Sequence, residues 1–486
     1  MGERDQTIVW GGFRSGKRHF ECPDHTWSAV RILILHKVKT WRIPMNNSVR
    51  KKAPFGAALD NTTSLFAAAA IGLMTTFAAP SEAQAQDSSV KVGFVTFLSG
   101  SAAGPFGVPA RNAAELMIEA INAGAVPGPY NTAGIGGSMI DPIFVDENSK
   151  QKNADYLKLV EKDGVEMIIG YVSSGSCKAI APEAEKAERL TILFDCGTPQ
   201  IFEEIVTDPK YTFRTGGHAT MDSVAAARYL VATGAPAGTI AGINQNYAFG
   251  QDNWRDFSGT MAQLSSDTEI ATEQFPKIHS GQYGSEISAL LTSTPDVVHS
   301  SFWGGDLEAF IIQGSARGIF ERSKVILSAG ETAMHRLGAQ MPDGTIIGAR
   351  GPHGDLAPDS ELNSWFRKAY FDRFGTLPTY PSYKMAQALL GVKAAADKAG
   401  SSDQDAIIGA LTGLEWEGPS GTVSMALANG HQAIQGTAYG TYKYDKDTSS
   451  ATLVDIIHFP AECVNPPAGA NSIDWINGGF EGAKCD

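Results

Sequence analysis

Short apolar runs alternate with longer amphipathic ones through most of this chain. Residues 90–98 (VKVGFVTFL) read as a strand, 109–123 as a helix, 140–146 as a strand and 152–163 as a helix. Residues 165–172 (VEMIIGYV) then form a buried strand, followed by a helix beginning near Lys178 and a strand over 190–194. Repeated β-α-β of this kind builds a parallel sheet covered by helices on both faces. After a polar stretch at 215–219 the pattern resumes, with helices over 221–233, 252–264, 284–292 and 307–316 alternating with strands over 238–243, 270–275, 296–301 and 324–328. Two doubly wound halves therefore follow one another. From about Ala349 the order changes: helices over 361–374, 382–399 and 403–411 precede strands over 421–425, 436–444 and 451–459. Helices without strands of their own need a sheet to cover. The reading is thus a first lobe at 86–216, a second at 217–348, a return to the first at 349–435 and a last visit to the second at 436–486.

Composition separates the first 85 residues from the rest. Eleven Lys and Arg against six Asp and Glu leave that segment at +5, so the overall charge of -13 places -18 on the remainder. So acidic a body lacks the basic footprint that supplies phosphate contacts, which excludes nucleic acid as a partner. Within the first segment, Arg50, Lys51 and Lys52 precede an apolar stretch at 65–79, and Ala83-Gln84-Ala85 follows it. Basic flank, short apolar core and A-x-A site read as a signal peptide over 45–85, cleaved near Ala85, which places the mature protein in the periplasm. Residues 1–44 carry scattered tryptophans without periodicity and read as an over-extended N-terminus ahead of a start at Met45. No stretch reaches the roughly 20 apolar residues of a spanning helix. Export makes the four remaining cysteines candidates for disulfides. Three pairings are possible, and sequence proximity favours Cys177 with Cys196 and Cys463 with Cys485. No histidines or cysteines stand at metal-ligand spacing, so neither metal nor cofactor is expected.

Five segments in order, FVTFLSGSAAGPFG (94–107), IIGYVSSGS (168–176), CGTP (196–199), YTFRTGG (211–217) and NYAFG (246–250), make the chain similar to the type I periplasmic solute-binding proteins. Within them it most resembles the leucine-binding branch that serves ABC importers, over nearly all of the mature chain. The resemblance implies an α/β fold of two doubly wound Rossmann-like lobes joined by a three-crossing hinge. It also implies capture of a small carboxylate-bearing solute, such as a branched-chain or aromatic amino acid, for delivery to a membrane permease by a monomer.

The residues give that expectation a chemistry. In open α/β sheets, ligands lie beyond the carboxyl ends of the strands, where helix N-termini aim N–H groups outward. Ser174 and Ser176 sit at one such end, and Gly197 and Thr198 at the next. Helix capping alone accounts for one serine. Two successive donor-rich strand ends point further, and the resemblance assigns Ser174, Gly197 and Thr198 to the ligand carboxylate. It likewise assigns Phe106, Tyr247 and Trp303 to an aromatic wall, with Tyr380 and Tyr383 as weaker candidates. Amino-acid binders of this family set acidic side chains against the ligand ammonium. One such position matches Ala219 here, and the other falls at or beside Glu331. With Glu331 turned from the cleft, the solute reads as an aromatic acid, amide or urea instead. Asp306 could compensate as a second acidic contact, although a solvated surface carboxylate is its expected role. No G-x-S-x-G, H-E-x-x-H, P-loop or G-x-G-x-x-G motif is present, so the chain is not read as an enzyme. A remote hydrolase reading would need His218 beside Ser174.

Overall fold

The computed structural model describes residues 88–485. The segments read above as an over-extended N-terminus (1–44) and a signal peptide (45–85) lie outside the described residues. The first lobe opens with β1 (Ser89–Thr96), α1 (Val108–Asn122), β2 (Met139–Asp146), α2 (Lys152–Lys158), β3 (Met167–Gly170), α3 (Ser174–Lys186), β4 (Thr191–Leu193) and β5 (Thr212–Arg214). The second carries α4 (Ala219–Ala232), β6 (Thr239–Ile243), α5 (Ala248–Leu264), β7 (Glu269–Gln274), α6 (Gly284–Ser293), β8 (Val297–Ser300), α7 (Gly305–Ala316), α8 (Ile319–Arg322), β9 (Lys324–Leu327), α9 (Glu331–Leu337) and β10 (Ile346–Gly348). The chain then adds α10 (Glu361–Phe374), α11 (Tyr380–Ala399), α12 (Gln404–Leu411), β11 (Glu415–Gly418), β12 (Gly421–Leu427) and β13 (Gln432–Ile434), and ends with β14 (Thr437–Asp445) and β15 (Ser450–Phe459) before two short helices.

Strands group into two sheets. One has eight in the order β11-β12-β13-β5-β4-β3-β1-β2 and the other seven in the order β15-β14-β10-β9-β8-β6-β7. The parallel portions, β2-β1-β3-β4-β5 and β7-β6-β8-β9-β10, repeat one winding order, so each sheet reverses direction beside its first strand. Crevices open at such reversals. The first core continues through β13, parallel to β5, into antiparallel β12 and β11, and the second into antiparallel β14 and β15; of these, β11 and β13 are absent from the sequence reading, which has strands over 421–425, 436–444 and 451–459. The backbone passes between sheets three times, after β5, after β10 and between β13 and β14. Strands β3, β4 and β8 are buried throughout, as expected where helices cover both faces. Helix α11 packs on α1, and its Ser382 hydroxyl donates to the Pro109 carbonyl at 3.0 Å, which fixes the late helices on the first lobe. No described helix is long and apolar enough to cross a membrane.

Disulfides join Cys177 to Cys196 and Cys463 to Cys485. The first ties the opening turn of α3 to the segment leaving β4, the two strand ends singled out in the sequence.

Candidate functional site

Helix α3 starts four residues earlier than its polarity pattern predicted, and this changes what its serines do. Ser173 is the extended residue before the helix, and Ser174 stands in its first turn. The preceding turn is held by the buried Glu147 carboxylate, which accepts the Val172 and Ser173 N–H groups at 2.8 and 2.9 Å. Burial pushes this carboxyl up to about 7, with those two N–H groups opposing it. The Ser174 Oγ accepts the N–H groups of Gly197 and Thr198 at 3.2 and 3.1 Å. The three predicted residues are thus brought together, with the Ser174 oxygen accepting the backbone N–H groups of the other two. The Thr198 hydroxyl donates across the lobes to Asp252 Oδ2 on α5 at 2.5 Å. Arg214 of the RTGG segment, fully buried, donates Nη1 to the carbonyls of Cys196 and Thr198 at 3.0 and 2.6 Å and braces their loop. Of these three predicted residues, Gly197 borders the cavity described next.

That cavity, narrow at about 10 Å³, lies between the lobes at the carboxyl ends of their strands. Phe106 and Val172 come from the first lobe, Tyr247 and Trp303 from the second. The residues beyond β3, β6 and β8 that border it sit where each sheet reverses. Trp303 packs edge-on against Phe106 at 5.2 Å between centroids and tilts over Phe97 at 5.8 Å. Its Nε1 donates to the Tyr247 hydroxyl at 2.7 Å, leaving the tyrosine proton free to donate in turn. Nearby, the Gly305 N–H donates to the Ser101 carbonyl at 3.1 Å, a backbone bond between lobes. Tyr380 completes the wall, edge-on to Phe106 at 5.2 Å. Tyr383 turns away and donates its hydroxyl to Asn363 Oδ1 at 2.8 Å.

Reading by strand ends missed the charges on this cavity. Arg350 follows β10 in a left-handed conformation, φ +49°, which a non-glycine residue holds only under constraint. Its Nε donates to Asp222 Oδ2 on α4 at 3.0 Å, and its Nη1 to both the carbonyl and Oδ1 of Asp195 at 2.7 Å. Its guanidinium carbon lies 4.7 Å from the centroid of the Phe249 ring. Lys384 of α11 places Nζ 3.1 Å from the same Asp195 Oδ1. Burial opposes the guanidinium charge, but Asp195 and Asp222 outweigh it and hold Arg350 above its usual range. Lys384 falls to about 8, because burial and the neighbouring Arg350 act together against its proton. Arg350 and Asp195 both border the cavity, and Arg350 Nη2 and Asp195 Oδ2 have no hydrogen-bond partner among the described residues. A buried polar atom without a protein partner calls for one from water, an ion or a solute, and Asp222 Oδ1 and Lys384 Nζ of the same cluster share that condition.

Glu331, Ala219 and Asp306 are not among the residues that line the cavity. Glu331 opens α9 and does not border the cavity. Its Oε2 accepts the Tyr380 N–H at 2.9 Å, so a carboxylate of the second lobe caps a helix that covers the first. Ala219 opens α4 and donates its N–H to the Gly197 carbonyl at 2.6 Å. Asp306 is buried, not solvated: it accepts Gln245 Nε2 and the His279 N–H, both at 2.7 Å, and supports the turn beside Trp303. No imidazole hydrogen-bonds Ser174 among the described residues, and burial pushes His218 well below its ordinary range.

Burial raises the Glu331 carboxyl from 4.5 to about 7, against the stabilising Tyr380 N–H. A carboxyl whose folded pKa is raised favours folding fully below about pH 4.5, and that contribution is lost as pH rises through 7. Glu331→Gln keeps an acceptor for the Tyr380 N–H and removes the proton equilibrium. The variant is expected to gain on the wild type by up to about 1.4 kcal/mol per pH unit between roughly pH 5 and 7, measured by urea unfolding across that range. Parallel pH profiles for the two proteins would contradict this placement of Glu331.

A family model described as periplasmic binding protein matches residues 89–448. No curated protein matches the chain in sequence. Among solved structures, the chain is similar to a solute-binding protein of an ABC transporter from Rhodopseudomonas palustris BisB5 in complex with 3,4-dihydroxybenzoic acid, at 22% identity and TM-score 0.65, covering 77% of this chain and 98% of that one. It is also similar to the branched-chain amino acid transporter substrate-binding protein LivJ of Streptococcus pneumoniae in complex with isoleucine, at 16% identity and TM-score 0.64, with 76% and 99% covered. The leucine-binding protein LivK of Thermotoga maritima matches at 17% identity and TM-score 0.63, with 76% and 98% covered. At these identities the likeness is one of fold.

Proposed function

We propose that this chain, which belongs to the periplasmic binding protein family, is the solute-binding component of an ABC importer, exported by its 45–85 segment and monomeric when it meets its permease. It captures a small solute between its lobes and performs no chemistry on it. The observation that carries this reading is the interlobe cavity, bordered by aromatic rings from both lobes and by the unpartnered Arg350 Nη2.

The solute carries a carboxyl group, as an amino acid or aromatic acid does, or an amide in its place. Its oxygen sits on Arg350 Nη2 beside the free proton of the Tyr247 hydroxyl, while Phe106, Trp303 and Tyr380 cover its apolar part. Ser174, Gly197 and Thr198 contribute by shaping the loop under that oxygen, where a glycine lets the guanidinium approach. Glu331 acts on the closed arrangement through its bond to Tyr380. Contacts made to solute by both lobes favour the closed form, and that form is what the permease receives. The amide reading draws specific support from Asp195 Oδ2, an acceptor in need of a donor.

A thermal-shift screen of the purified protein against amino acids, aromatic acids, amides and urea tests the proposal. A solute at one hundred times its dissociation constant is expected to add about 2.7 kcal/mol to the unfolding free energy and to raise Tm accordingly. No response to any member of the panel would overturn the proposal.

A further inference from the structure

Helix α9 of the second lobe carries two titratable side chains one turn apart, and both reach across to groups held by the first lobe. Glu331 Oε2 accepts the Tyr380 N–H, at the start of α11, at 2.9 Å. His335 Nε2 lies 2.8 Å from Asp355 Oδ2, in the segment that crosses back after β10. Three bonds fasten that segment to the first lobe. Arg367 of α10 donates to Asp355 Oδ1 and to the Gly354 carbonyl, both at 3.0 Å, and His353 Nδ1 meets the Ser420 hydroxyl at 2.6 Å. Gly354, at φ +60°, makes room for the contact, since a Cβ there would collide with Glu331 Oε1. Asp355, His335 and Arg367 are the charged groups that act on Glu331, and Asp355, Glu331 and Arg367 those that act on His335, with the Tyr383 hydroxyl beside Arg367.

Parting the lobes would take α9 away from these partners and return both side chains toward water. Burial holds the Glu331 carboxyl at about 7 in the closed arrangement, above its ordinary 4.5. Burial works against the His335 proton, but the hydrogen bond and charge of Asp355 outweigh it and leave the imidazole above its ordinary 6.5. A group whose value is raised on closing favours the closed form most below its open value, and that favour is lost as pH rises through the closed one. The two signs agree. We propose that α9 is a proton-operated latch between the lobes: closure takes up protons at Glu331 and His335, so acid holds the cleft shut and a rise in pH lets it open. Glu147 and Asp256 titrate in the same range, but the groups that act on them belong to their own lobes.

Amide exchange of Gly305, whose N–H donates to the Ser101 carbonyl across the lobes, reports closure away from α9 and without solute. Corrected for the intrinsic rate, its protection is expected to fall about tenfold or more between roughly pH 5.5 and 7.5, within the limit of about tenfold per pH unit for each proton taken up. The window ends below the value of about 8 at which Lys384 loses its proton. Glu331→Gln is expected to remove more than half of that fall on a logarithmic scale, and Glu331→Gln combined with His335→Gln to leave no more than about twofold. Every other titrating group is retained in the double variant, so a wild-type fall persisting there would overturn the proposal. Protection in the wild type that is flat or rises with pH would overturn it as well. Should the double variant not fold, Glu331→Gln decides alone, and a fall equal to that of the wild type sinks the latch. Because no solute is present, this result is independent of the thermal-shift screen that tests solute binding.

Discussion

Replacing Arg350 by methionine is expected to cost about 3–5 kcal/mol of folding stability and to abolish the thermal response to solute. The guanidinium is the only side chain that touches both Asp195 and Asp222 with good hydrogen-bond geometry among the described residues. Removing it leaves two buried carboxylates facing Lys384 alone, whose own proton is already weakly held. Breaking a buried pair by removing one partner is costly because the remaining charge has no compensation, whereas the net worth of the intact pair is small. The same reasoning predicts partial rescue: Asp222→Asn in the Arg350→Met background should recover part of the loss, since one uncompensated charge disappears. Urea unfolding of the two single variants and the double variant measures this as a coupling energy. Additive losses would show that the cluster does not act as a unit.

The second large effect is expected at Gly197. A Cβ there would stand 2.4 Å from two carbons of the Phe249 ring and 2.7 Å from Arg350 Nη2. Phe249 belongs to the second lobe and Gly197 to the first, so the added carbon acts as a wedge between them. Gly197→Val is expected to weaken solute binding about 100-fold, toward the upper end of the 1–3 kcal/mol typical of overpacking. The three nearest atoms that the added carbon meets belong to Phe249 and Arg350, so affinity is expected to change more than unfolding measured without solute. Calorimetric titration and thermal unfolding of the same preparation separate the two, and an affinity within threefold of wild type would contradict the placement of Gly197 at the closing surface.

The fold was legible where apolar runs were long enough to carry a period. Strand β1 and the buried β3 show themselves as VKVGFVTFL and MIIG, and the helices between them as amphipathic stretches. The antiparallel additions were harder. Strand β11 is EWEG and β13 is QAI, four and three residues long, too short for alternation to stand out from a loop. Strand β10, with three residues, fell below the same threshold, and with it the strand end that presents Arg350.

The site was half legible for a related reason. Phe106, Gly197, Tyr247 and Trp303 follow strands, and strand ends can be read from sequence. The charge cluster cannot be assembled that way, because Asp195, Asp222, Arg350 and Lys384 come from four segments that meet only when both lobes and the late helices are in place. A usable signal was present: a charged residue directly after an apolar run, as in TILFD and IIGAR, has no reason to end a buried strand unless it is paired there. The direction taken by Ser174 depended on the first residue of α3. Four residues of uncertainty in a helix start turn a hydroxyl from the cleft to its own loop.

A crystal structure of the protein with the strongest stabiliser from the thermal-shift panel tests the central claim most directly. The account predicts solute density between Phe106 and Trp303, with a solute oxygen within 3.2 Å of Arg350 Nη2 by the ordinary limit for an N–H donor. Density elsewhere on the molecule, or a solute in this cavity with Arg350 Nη2 still unpartnered, would contradict it.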